Sequence, residues 1–144
     1  MDKQTLKQYR ALKREINLID KKLNKLYDQQ QNVPEVIGKV IGSSKDFPYT
    51  KIRTTVRMSE PKESDQIKFL IWKRQQRREE AESKLKEIES FISCIPDSDT
   101  RQIFELTYID GMKQREVSEK IGLERSGISK KIDGYLRLSH ISQK

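Results

Sequence analysis

The chain has 144 residues, of which 36% are charged and 33% hydrophobic, and its formal net charge is +8. So little apolar material excludes one large globular core and fits long helices that each bury a narrow stripe. The basic surplus favours a polyanionic partner, because each Lys or Arg set against a phosphate releases a condensed counterion; a merely basic protein is the competing reading of charge alone.

A single cysteine, Cys94, and a single histidine, His140, leave no disulfide within the chain and no four-ligand zinc site, so no metal or cofactor is expected and a reducing, cytoplasmic setting is. The N-terminus, MDKQTLKQYRALKRE, is polar where a signal peptide needs an apolar run. No stretch approaches 18 apolar residues, so neither secretion nor membrane association is expected.

Over residues 6–27, Leu12, Ile16, Ile19, Leu23 and Leu26 recur at alternating steps of four and three, the heptad seam of a helix packed along one face. Val33-Pro34 ends that pattern. A second helix is predicted from a Ser64-Asp65 cap, with Ile67, Ile71, Ala81, Leu85, Ile88, Ile92 and Ile95 in register and Arg74 and Arg78 interrupting the seam. The block KRQQRREE at 73–80 reads as a solvated face.

The connection at about 31–64 is too long to be structureless inside a compact domain. Alternating, β-branched KIRTTVRM at 51–58, with Val36-Ile37 and Val40-Ile41 beside Gly38 and Gly42, favours a small β-hairpin over an ordered loop; the role of the GSSKDFPYT segment stays open. Pro96 breaks the second helix, and a domain boundary is placed there: a long-helix domain at 1–95 and a terminal domain at 96–144. The expected fold is mainly all-α.

The terminal domain reads as three helices. DTRQIFELTYIDG carries Ile103, Leu106, Tyr108 and Ile109 inward and ends at Gly111. The second, at 113–121, has Val117 and Ile121 on one face, small Ser118 at the inside of a turn, and Gly122 before Leu123, which is the spacing of a helix-turn-helix. The third, at about 126–138, turns Ile128, Ile132, Tyr135 and Leu136 inward. Arg125, Ser126, Ser129 and Lys130 are then the candidates to face bases in a major groove, and Lys113, Arg115, Lys131 and Arg137 the candidates to face phosphates. Residues 96–124 hold four basic and seven acidic side chains, residues 125–144 five and one, so positive charge gathers on the proposed recognition helix. A protein-binding three-helix bundle would show the same apolar spacing.

TRQIFELTYIDGMKQREVSEKIGLERSGISKKIDGYL resembles region four of bacterial sigma factors: Glu116-Val117 matches that family's Glu-Ile step and Ile128 with Ile132 its inward pair, while Asp133-Gly134 departs from it. The whole layout, with the GSS…PYT segment, is similar to small sigma-factor-like phage or prophage regulators of late transcription, the ArpU- and RinA-like group. These resemblances imply a DNA-binding transcription regulator whose partners are double-stranded DNA, RNA polymerase, and a second copy through the heptad helices. The residues before Pro96 lack the aromatic-rich helix that a complete sigma factor uses to melt a promoter.

Two other classes fit the pattern. A DNA-packaging recognition subunit resembling a small terminase would form a ring of many copies, and a coiled-coil adaptor would bind no specific DNA. Catalysis has no support, since Glu79-Glu80 and Glu87 with Glu89 lie on a charged helix without a phosphate loop, a metal cluster or a nucleophile-base pair.

Overall fold

A computed structural model describes the backbone of residues 1–33, 35–43, 51–59 and 61–143, and the side chains of residues 1–33 and 61–143. The fold is mostly helical. Helix α1 (Lys3–Lys7) is capped by Asp2, whose carboxylate accepts the Thr5 N–H at 2.7 Å, and α2 (Tyr9–Gln31) follows after one residue. Strands β1 (Glu35–Ser43) and β2 (Lys51–Ser59) pair antiparallel with Lys39 opposite Thr55. Beyond Gly42 and Ser43, the GSSKDFPYT segment lies outside the described residues.

Helix α3 (Pro61–Ser93) starts ahead of the Ser64-Asp65 cap that the sequence suggests. Proline suits the first helical position, where its missing N–H would have had no acceptor. After Pro96 come α4 (Ser98–Phe104), a π-helical turn (Glu105–Ile109), α5 (Gln114–Ile121) and α6 (Arg125–Ser142). Among the described residues no helix is long and apolar enough to cross a membrane.

The chain divides into two compact units. The first comprises Met1–Leu18 and Arg77–Lys144. Its core joins Leu6, Tyr9 and Leu12 to Ala81, Ile88, Ile92 and Ile95, then runs without a break past Pro96 into Ile103, Phe104, Tyr108, Val117, Ile128, Ile132 and Leu136. Burying such an aliphatic or aromatic side chain contributes about 1.5–3 kcal/mol, so the residues either side of Pro96 stabilise each other. Phe104, fully buried, stands outside the apolar set that helical spacing selects.

Within this unit α2 and α3 run antiparallel. The Tyr9 hydroxyl donates to Glu89 at 2.6 Å, while the Arg77 guanidinium grips both Glu15 oxygens at 2.6 and 3.0 Å. Arg78, which interrupts the seam, is half-buried and finds Glu82 one turn on at 2.9 Å.

The second unit, Ile19–Gln76, buries Ile19 and Leu23 of α2 against Ile67 and Ile71 of α3, with Leu26 and Val33 packed alongside. Gln75 donates to the Tyr27 hydroxyl at 2.7 Å. Phe69 and Trp72, both exposed, stack at 6.1 Å between ring centroids.

Candidate nucleic-acid interface

The terminal part of the first unit is built outward from Asp97, which caps α4. Its carboxylate accepts from the Thr100 hydroxyl and from the Thr100 N–H, and those two bonds, the hydroxyl's foremost, hold it below the ordinary carboxylate range. Helix α4 then widens into the π turn, where the Asp110 N–H reaches the Glu105 carbonyl five residues back at 3.0 Å. Gly111 adopts φ +71°, a left-handed conformation open to glycine, and Met112 closes the end by donating to Leu106 at 2.9 Å.

Helix α5 opens with the Lys113 N–H donating to the Glu116 carboxylate at 2.9 Å, half of a capping box. Val117 is fully buried beneath it. The helix ends at Gly122 (φ +76°), whose N–H donates to the Ser118 carbonyl at 2.9 Å. The Ser118 hydroxyl crosses the same turn to the Leu123 carbonyl at 2.6 Å. A short side chain is needed there both to leave room and to make that bond.

Rotation of α6 about its own axis is fixed from inside. Ile128, Ile132 and Leu136 are buried, and Tyr135 sits edge-on to Phe91 and Phe104 at 5.9 and 5.6 Å. With that face inward, helical periodicity leaves Ser126, Lys130 and Arg137 on the opposite side and Arg125 at the exposed start of the helix. Among the described residues none of Arg125, Lys130 and Arg137 meets a carboxylate, and Ser129 is half-buried on the flank.

The remaining sequence-selected cations are placed differently. Lys113 is exposed at the cap of α5, and Arg115, almost fully open to solvent, lies 3.6 Å from Glu119 on the same helix. Lys131 points to the far flank of α6, its ammonium 3.6 Å from Asp97 and 3.8 Å from Asp99. It therefore neutralises the start of α4, where the competing carboxylates are already in place. Asp133, the departure from the sigma-factor pattern, is bound by Lys3 at 3.2 Å.

Sequence reasoning about this region missed Lys3, Lys7 and Arg10. They belong to α1 and the first turn of α2, yet they line a cleft with Gly111 and Gln114. Nothing in the local pattern of α1 marks them, because they read there as ordinary solvated positions of an amphipathic helix.

Neither a curated protein nor a solved structure matches the chain. The family model described as "Protein of unknown function (DUF1492)" matches residues 62–134, which takes in α3, α4, α5 and the first half of α6 and amounts to just over half of the chain. The chain belongs to that family.

Proposed function

We propose that the protein is a sequence-specific DNA-binding transcription regulator in which α5, the Gly122 turn and α6 act as a helix-turn-helix, with α6 entering the major groove. The observation that carries this reading is the exposed side of α6: Ser126, Lys130 and Arg137 on its outer face and Arg125 at its start are exposed and, among the described residues, meet no carboxylate, on a helix whose other face is locked into the core. Slim or hydrogen-bonding side chains at the leading end of a helix suit base edges, and a rigid support keeps them in register. Lys113 and Arg115, at the start of α5, stand where phosphates of the flanking backbone would be met. The likeness to region four of sigma factors and to phage-type late regulators supports the same reading, as does the gathering of positive charge after residue 124.

The test is selection of genomic fragments by the purified protein at about 150 mM salt, where contacts to phosphate alone are already weakened. Enrichment of one short motif, weakened by Lys130→Ala or Arg125→Ala by about 1–3 kcal/mol, is the expected result. Binding without a motif would return the protein to the packaging class, and absence of binding to the adaptor class.

A further inference from the structure

A cleft of about 410 Å³ is lined by α1, the first turn of α2, the π turn, the first residue of α5 and Ile132 of α6. Three of its lining side chains, Lys3, Lys7 and Arg10, are cations, and among the described residues it has no carboxylate in its lining. Lys3 is partly neutralised at the rim by Asp133. Lys7 and Arg10 meet no carboxylate among the described residues, so the cleft carries a net positive charge at its mouth.

Two features suggest more than a chance gathering of surface lysines. Arg10 lies flat across Gly111: a β-carbon there would stand 2.6 Å from both Cδ and Cζ of the arginine. The absence of a side chain at 111 is what lets the guanidinium of the exposed Arg10 rest against the backbone. Thr107, on the π turn, contributes a hydroxyl that is buried and has no hydrogen-bond partner among the described residues. That oxygen is closed off from solvent, so it is an unpaired polar atom within the wall of the cleft and not itself a contact for a ligand. Gln114 adds the N-terminal end of α5, whose first backbone N–H groups lack helical acceptors and whose dipole favours negative charge. The guanidinium, the ammonium groups and the helix end together supply donors and positive charge with no carboxylate among them, which is the chemistry that receives a phosphoryl group.

We propose that this cleft is a phosphoryl-binding site and that the group it takes is a backbone phosphate of the DNA bound by α6. The source follows from continuity: Gln114 sits between Lys113 and Arg115, which the DNA reading already places against the backbone. The N-terminal helices thereby join the interface, and this assignment rests on the DNA-binding reading.

The experiment measures affinity for the selected motif against salt for the full chain and for the Lys7→Gln/Arg10→Gln double variant, with Lys130→Ala as reference. Since log affinity falls with log salt by about 0.9 for each phosphate neutralised, the double variant is expected to keep the same motif and to lose about 0.9 of slope for the one phosphate it no longer holds. Arg10→Lys, which keeps the charge, is expected to retain most of the slope, whereas a merely unfolded variant would lose the motif as well. In a second arm, inorganic phosphate is titrated while the amide signals of Thr107 and Gln114 are followed; shifts in the wild type that vanish in the double variant support the site.

An unchanged slope in the double variant, with Lys130→Ala still weakening binding, would overturn the cleft assignment and leave the DNA reading standing. Phosphate-dependent shifts with an unchanged slope would identify a free phosphorylated ligand as the source and overturn the DNA phosphate. A wild-type chain that binds no DNA would overturn the DNA reading itself and the assignment of a DNA phosphate with it.

Discussion

The Ser118 hydroxyl donates to the Leu123 carbonyl at 2.6 Å, spanning the turn in which Gly122 takes φ +76°. One short side chain thus ties the end of α5 to the chain that leads into α6, and the angle between the two helices depends on it. Ser118→Ala keeps the space and removes the bond, so it is expected to cost about 0.5–1.5 kcal/mol in denaturant unfolding. Gly122→Ala forces a β-carbon into the left-handed region and is expected to cost about 1–2 kcal/mol, although nothing lies within 4 Å of that carbon.

Gly134 lies in the interior of α6 and a β-carbon there would touch nothing within 4 Å. Its backbone is helical, so alanine carries no strain and restricts the unfolded chain. Gly134→Ala is expected to raise stability by about 0.5–1 kcal/mol. Thermal unfolding of the free protein checks this.

Lys130 and Lys131 are neighbours in sequence with opposite surroundings. Lys130 is open on the outer face, while Lys131 is held near Asp97 and Asp99 at 3.6 and 3.8 Å. Lys130→Ala is expected to weaken DNA binding by about 1–3 kcal/mol and Lys131→Ala distinctly less. Equal losses in a fluorescence anisotropy titration would contradict this division.

Burial pushes Tyr9 up to about 12, with the hydrogen bond to Glu89 adding to it, and burial likewise pushes Tyr108 up to about 12 with help from Asp133. Both folded values exceed the ordinary value of 10.0. Their contribution to stability is therefore complete below pH 10 and lost as pH rises from 10 through 12. In a Tyr9→Phe/Tyr108→Phe variant that loss is expected to shrink, as read by denaturant unfolding across this window alongside tyrosinate absorbance.

Asp97 behaves in the opposite sense. Its pKa is lowered in the folded chain by the Thr100 hydroxyl and N–H, so its contribution is present above the ordinary value of 3.8 and is lost as pH falls through the folded value. Asp97→Asn still accepts from Thr100 but does not titrate, and the acid limb of the stability curve is expected to flatten below pH 3.8.

Much of the helical architecture is written locally in the sequence. Leu12, Ile19 and Leu23 on one helix, Ile67, Ile71, Ala81, Ile88 and Ile92 on the next, and Ile95 just past its end, are buried as their heptad spacing requires. The reason is that a helix places residues three and four apart on one side whatever it packs against. Gly111 and Gly122 are similarly legible, since both take a left-handed conformation at the ends where helices were expected to stop. The inward set on α6 follows from the same spacing, and the exposed cations follow by subtraction.

Tertiary structure alone decided which of those charges are free. Lys3 and Asp133 are 130 residues apart, and Lys131 meets carboxylates more than 30 positions earlier, so no periodicity within a helix could pair them. The π turn shifts the facing of the residues after Phe104 in a way that a 3.6-residue period does not anticipate. Pro96 ends a helix as its chemistry demands, yet whether a core ends with it depends on what packs across the break, and here Leu6, Tyr9 and Leu12 share one core with Ile128 and Ile132. Local sequence specifies which face of each helix avoids water; only the folded chain specifies which faces meet, and so which cations stay exposed.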